Sequence, residues 1–357
     1  MRRTMKIDMS RRSLLIASLL GASPLAALPK KSLSFPRDHG SHPEFRTEWW
    51  YVTGFGGTAQ RELGFQLTFF RSRVEATQQM QSRLAARQLL FAHAAVTDVA
   101  NRKVWHEQLS AREGMEIARA REGDIDLRLR DWSMRQVGGD YQISLQSREI
   151  SFDLTLRPIQ PLLLQGDAGL SRKGPATEQA SYYYSHPQLA LDGKLRLGKE
   201  TIALSGKAWL DHEWSNQMLH PQARGWDWIG MNLDDGSAVT AFQIRDGAGR
   251  ALWDGGSFRH PKAPLYNFSQ GEVIFRPQRL WTSPISRASY PVEWIVRTPA
   301  DFYTVKALLD NQELDSRAST GTVYWEGLSE LFDSNGRKVG RGYLEMTGYA
   351  SPIRLHG

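Results

Sequence analysis

The block Asp211-His212-Glu213-Trp214 places three groups that can give, take or hold a proton beside a large aromatic surface, and Trp226-Asp227-Trp228 follows after a short connection. A second block, Thr47-Glu48-Trp49-Trp50-Tyr51, repeats that combination. Acids and an imidazole next to indole and phenol faces suit proton transfer to an apolar substrate, or the orientation of an amphipathic ligand in a dry pocket. If the two blocks meet in space, they line one pocket. Asp211, His212 and Glu213 are then its candidate catalytic groups. Its candidate ligand-binding residues are Glu48, Trp49, Tyr51, His93, Tyr184, Trp214, Trp226 and Trp228.

Other chemistries fit less well. His212-Glu213 begins like the zinc-protease pattern H-E-x-x-H, but Asn216 stands where the second histidine belongs, and nine dispersed histidines give no ligand spacing, so no metal site is predicted. Neither a G-x-S-x-G nucleophile elbow nor a phosphate-cradling G-x-x-x-x-G-K-[ST] loop occurs. Glu48, Asp211, Glu213 and Asp227 could act as paired carboxylates, but their separation cannot be read from the chain. Each block also has a purely structural reading. Glu48 could bond to backbone or an arginine inside a barrel, and Asp211 to Trp214 could form a polar corner where a strand ends. His93, alone in the apolar stretch Leu90 to Val96, reads as a satisfied core histidine as readily as a pocket residue, and Tyr182-Tyr183-Tyr184 as a pocket rim or a strand edge.

The elements that must position these residues are strands. Phe152, Leu154 and Leu156 alternate with polar residues, as do Tyr141, Ile143 and Leu145, which marks half-buried antiparallel strands. Turn signals fall between such runs, among them Gly138-Gly139-Asp140, Asp234-Asp235-Gly236 and Ser334-Asn335-Gly336. Only Val74 to Arg87 could form a helix, and its polar content suits an exposed excursion. The class is all-β. Roughly 330 residues after a leader exceed what one core supports, so two antiparallel β-barrel or sandwich domains in tandem are expected. The segment His220-Pro221-Gln222 is the predicted linker, dividing a domain of 32–220 from one of 221–357.

Residues 1–27 read as an export address. Ser10-Arg11-Arg12 is a twin-arginine pattern, and the apolar run Leu14 to Leu28 is too short for a membrane span. A periplasmic or secreted protein exported folded is expected. Without that leader the formal net charge falls from +7 to +3, because Arg2, Arg3, Lys6, Arg11 and Arg12 leave with Asp8. A nearly balanced chain gives no support to nucleic-acid binding. The absence of cysteine excludes disulfides and thiol chemistry.

Taken in order, His42-Pro43-Glu44 to Tyr51, the Phe91-Ala92-His93-Ala94 strand, Tyr183-Tyr184-Ser185 and Asp211-His212-Glu213-Trp214 resemble the carotenoid 1,2-hydratase/AttH-like family. The resemblance implies two lipocalin-like barrels in tandem, often in exported bacterial proteins labelled secreted hydrolases. It implies a hydrophobic or amphipathic small-molecule ligand, with an ABC transport system as a further partner. In the hydratase branch water is added to an isolated C=C without a cofactor, and a His-x-Trp pair maps onto His212 and Trp214. The companion Tyr-x-Asp would fall on Ala238 to Ile244, which carries no acid. Asp211, Glu213 or Glu48 would then donate the proton. A cofactor-independent hydratase, lyase or cyclase stands beside ligand carriage as the alternative function.

Overall fold

The computed structural model describes residues 27–353 other than 59, 60 and 83. The twin-arginine segment lies outside the described residues.

Among the described residues the regular structure is nearly all strand. The first thirteen strands are β1 Thr47–Thr58, β2 Arg61–Arg73, β3 Gln88–Asp98, β4 Lys103–Arg112, β5 Ala118–Ala120, β6 Asp126–Leu129 and β7 Trp132–Val137, then β8 Asp140–Gln146, β9 Ile150–Arg157, β10 Leu163–Leu164, β11 Leu170–Arg172, β12 Ala180–Leu197 and β13 Glu200–Gln217. They form one antiparallel sheet in the order β4-β3-β2-β1-β13-β12-β9-β8-β7-β6-β5, with β10 and β11 on β12. The sheet curls until β3 and β4 approach β5 and β6, giving a nearly closed barrel. The alternation read from the sequence works here: Tyr141, Ile143 and Leu145 pair with Leu156, Leu154 and Phe152 across β8 and β9, all buried. Gly138 and Gly139 turn the β7–β8 hairpin with φ of 61° and 92°, a conformation that glycine adopts without steric penalty.

After the connection 218–224 come β14 Gly225–Leu233, β15 Ala238–Arg245, β16 Ala251–Arg259, β17 Tyr266–Phe268, β18 Ile274–Pro277 and β19 Leu280–Thr282. They continue through β20 Ser289–Pro291, β21 Glu293–Arg297, β22 Phe302–Ala307, β23 Glu313–Ser316, β24 Thr322–Phe332 and β25 Lys338–Met346. The second sheet runs β17-β16-β15-β14-β25-β24-β22-β21-β18, with β23 on β24, and β19 and β20 form a separate ribbon. The protein is therefore all-β, two antiparallel β domains in tandem. Between β2 and β3 the described residues of the excursion contain only the short 3-10 turn Glu75–Thr77.

Each sheet has its own core, one around Trp50, Phe65 and Trp132 and one around Trp294, Val296 and Trp325. A third apolar cluster, including Tyr51, Trp209, Trp228, Phe242 and Tyr343, draws on both sheets and forms the seam. Polar contacts cross the same seam. Gln188 donates to the carbonyls of Leu233 and Ser237, and Thr97 donates to Gln312.

Candidate functional site

Strands β1 and β13 are antiparallel neighbours, and their register sets Glu48 opposite Trp214, Trp49 opposite Glu213, Trp50 opposite His212 and Tyr51 opposite Asp211. The two aromatic and acidic blocks thus meet along their length. Successive side chains of a strand point to opposite faces, so the meeting divides them. Glu48, Trp50, His212 and Trp214 face the interior of the first barrel, whereas Trp49, Tyr51, Asp211 and Glu213 face the seam. The expectation of a single pocket holding Glu48, His212 and Trp214 together with Asp211 and Glu213 is corrected by this alternation. The polar-corner reading also fails, because β13 continues past the block to Gln217.

Inside the barrel, Glu48 is the centre of a buried network. Its Oε1 lies 2.7 Å from His42 Nδ1 and 2.9 Å from His212 Nε2, while Arg71 Nε donates to Oε2 at 2.8 Å. The Ser41 hydroxyl and the His42 amide also donate to Oε2. These donors hold the Glu48 carboxyl well below its ordinary range despite complete burial. Asp38 stands 2.9 Å from His42 Nε2, and the Tyr184 hydroxyl lies 2.7 Å from His39 Nδ1 and 3.3 Å from His212 Nδ1. Burial pushes His212 down to about 4, so its imidazole is neutral near pH 7. The ring stacks on Trp50 at 4.6 Å and Trp214 stacks on His42 at 3.9 Å. His42, Glu48 and His212 bring three potential metal-ligating atoms together, a grouping that sequence spacing did not reveal. Arg71 also sits on the carboxylate and both rings lie within hydrogen-bond distance of Oε1, so the cluster is one connected buried polar network.

The seam holds a cavity of about 690 Å³ between the two sheets. Trp49, Tyr51, Trp226, Trp228 and Phe242 supply aromatic walls, and Glu48 and Arg71 border it with their charged ends turned to the barrel network. Four further acids line it: Asp211, Glu213, Glu326 and Glu345. Asp211 accepts from Trp209 Nε1 at 2.8 Å and from the Tyr183 hydroxyl at 2.9 Å, and burial pushes its carboxyl up to about 7. Glu213 pairs with Lys173 at 3.0 Å and accepts from Ser181. Glu326 and Glu345 sit directly opposite each other on β24 and β25. Burial, with Asp211 and Glu213 nearby, pushes Glu345 up to about 8, and burial beside Glu345 holds Glu326 well above the ordinary range. Such a pair favours retention of a proton near neutral pH.

Of the other expected residues, Trp226 donates to Glu345 at 3.2 Å, and Trp228 donates to the Tyr183 hydroxyl at 3.3 Å and meets Tyr51 edge to face. His93 borders the cavity, with its ring nitrogens 2.8 Å from the Tyr324 and Ser319 hydroxyls, contacts that join the two sheets. Tyr184 lies in the barrel network and not in the cavity. Its neighbour Tyr183 takes the cavity position, again by alternation. Asp227 points away from the cavity to Arg245 at 2.9 Å. Lys173, Phe242, Glu326 and Glu345 were not identified from the sequence. The detectable signal was an acid inside a short apolar run, as in Tyr324-Trp325-Glu326-Gly327-Leu328 and Tyr343-Leu344-Glu345-Met346.

Comparison with known proteins follows the same architecture. A family model described as AttH-like matches residues 26–349. The crystal structure of an AttH protein from Nitrosomonas europaea is 43% identical, with a TM-score of 0.84, covering 90% of this chain and 99% of that one. Kievitone hydratase from Nectria haematococca superposes with a TM-score of 0.67 at 13% identity, covering 92% of this chain and 98% of that one. CghA gives a TM-score of 0.52 at 12% identity over 87% of this chain and 90% of that one. At those identities the last two share the fold alone. No curated protein matches the chain in sequence.

Proposed function

This chain belongs to the AttH-like family, and from that premise we propose that it binds a hydrophobic or amphipathic small molecule in the cavity between its two barrels. The observation that carries this reading is the 690 Å³ cavity itself, walled by aromatic rings and supplied with a few convergent acids. Its size and lining match those of small-molecule sites, which are mostly apolar with a small number of placed polar groups and often lie at domain interfaces. Buried side chains such as Trp50, Phe65 and Trp132 pack the first barrel's interior, which supports the space between the barrels as the ligand's site.

The test is mass spectrometry of small molecules that co-purify with the folded protein, repeated on Trp228→Ala and Phe242→Ala. A ligand present on the parent protein and lost from both variants is expected. Equal retention by both variants would place the ligand elsewhere.

One observation favours a second reading, cofactor-independent hydratase or cyclase chemistry on an isoprenoid-like or polyene substrate. Asp211, whose carboxyl is pushed up to about 7 beside aromatic faces, can hold a proton at neutral pH and deliver it to a double bond. A hydratase shares this fold, although fold alone does not carry activity across. Incubation with acyclic isoprenoids should give product from the parent protein and none from Asp211→Asn. Product formed equally by both would remove Asp211 from the chemistry. Export by the twin-arginine route and service to an ABC transport system belong to the same proposal. Fractionation of the full chain in a bacterial host and affinity capture from its membranes test them. Retention in the cytoplasm would count against export, and capture without a transporter component against that partnership.

A further inference from the structure

The acids of the seam cavity are unevenly matched. Glu213 has Lys173, and Glu48 has Arg71. Among the described residues Asp211, Glu326 and Glu345 have no basic partner, and Lys173 and Arg71 are the only lysine or arginine that line the cavity. Glu326 and Glu345 face each other across adjacent strands, where like charges repel. Glu326 is 3% exposed and its Oε1 has no hydrogen-bond partner. The Tyr51 hydroxyl, on a residue 5% exposed, faces Glu326 without a well-formed hydrogen bond. Buried polar atoms left unpaired are costly, and both of these residues line the cavity.

Elsewhere in the same cavity the equivalent need is met. Lys173 Nζ sits 3.0 Å from Glu213 Oε1, 4.2 Å from the centroid of the Phe242 ring and 4.7 Å from that of Tyr183. An ammonium there is held jointly by a carboxylate and two π faces. Near Asp211 and Glu213, the residues Glu345, Glu326, Trp226, Tyr51 and Tyr324 offer acids and aromatic rings with no lysine or arginine paired to them among the described residues.

We propose that the Glu326–Glu345 pair on the wall of the seam cavity receives a protonated amine, and that the ligand is an amphipathic organic cation whose hydrocarbon part lies against the tryptophans. This rests on the reading of the seam cavity as a small-molecule site and names the ligand class. An incoming ammonium replaces the proton that the pair retains: a carboxyl O–H ionises, the proton leaves to solvent, and the carboxylate takes the cation. The groups that face the pair do not compete for that role. Asp211 and Glu213 are acids, the latter already paired with Lys173, while Tyr51 and Tyr324 are held un-ionised by burial and by Glu326.

The experiment is calorimetric titration of the full folded protein at pH 7 with three probes of equal chain length, decylammonium, decanol and decanoate, in two buffers of different ionisation enthalpy. Decylammonium should bind at least about ten-fold more tightly than decanol and release close to one proton, and decanoate should bind most weakly. In Glu326→Gln/Glu345→Gln both the preference and the proton release should vanish while decanol still binds. Should decanol bind as well as decylammonium, or decylammonium bind without proton release, this proposal falls and the seam-cavity reading stands. A preference kept by the double variant places the cation elsewhere and also overturns it. If none of the probes binds the parent protein, both readings fail. The parent comparison needs no variant, so misfolding of the double variant leaves the test intact.

Discussion

Glu48 illustrates what a single residue does when every lone pair is used. Two histidines, an arginine, a serine and a backbone amide converge on one buried carboxylate, so its ionised form is part of the folded structure. Glu48→Gln keeps the volume but leaves the buried Arg71 without its countercharge, which should cost about 3–5 kcal/mol in urea unfolding. A loss below about 1 kcal/mol would show that the network contributes little. Titration adds a second prediction at this scale. Asp211 and Glu345 are raised to about 7 and about 8, so their contribution to stability is complete below their ordinary values and is lost as pH rises through 7 to 8. His93 and His212 are lowered to about 3 and about 4, so theirs is complete above about 6.5 and is lost as pH falls below it. Between pH 6.5 and 8 the carboxyls act without the histidines, and stability should decline by at most about 1.4 kcal/mol per pH unit per group. Denaturation midpoints at pH 6.5 and 8 check this, with Glu345→Gln expected to flatten the slope. A steeper decline in that variant would contradict the assignment.

At the scale of elements, the strands were legible because the signal is local. Alternation in Ser151 to Arg157 and the Gly138-Gly139 turn follow from the two-residue period and from glycine's access to positive φ. The irregular positions were not legible. Strand β12 has a register shift between His186 and Leu189, and there Gln188 takes a φ of 54°. The shift re-aims the Gln188 amide across the seam, where its Nε2 reaches the Leu233 and Ser237 carbonyls at 2.9 and 2.7 Å and its backbone N–H donates to Asn232. Gln188→Ala should cost about 1–3 kcal/mol, because two buried carbonyls lose a donor. Gln188→Gly relieves the backbone strain while losing the same side-chain bonds, and should therefore be the less harmful of the two. The reverse order in thermal melts would argue that the bulge carries no strain.

Across the whole molecule, Gly64 is one point where the two sheets approach closely: a Cβ there would lie 2.7 Å from the Tyr343 hydroxyl and 3.0 Å from Leu328 Cβ. Gly64→Val should therefore force the barrels apart, destabilise by about 1–3 kcal/mol and weaken probe binding in the seam cavity, read by denaturation and calorimetry together. Unchanged binding would mean that the cavity does not depend on this approach. By itself the sequence determined the all-β class, the expectation of tandem barrels, the family resemblance and the two blocks rich in acid and tryptophan, since composition, period and turn residues act over a few positions. Only the tertiary structure decided which face each of those residues takes. Register with β1 sent His212 and Trp214 into a barrel interior and Asp211 and Glu213 to the seam, and packing of β24 and β25 against β1 and β2 brought Glu326 and Glu345 to the same cavity as Asp211 and Glu213, more than a hundred residues away along the chain. Those placements depend on pairings between distant segments, which no local pattern encodes.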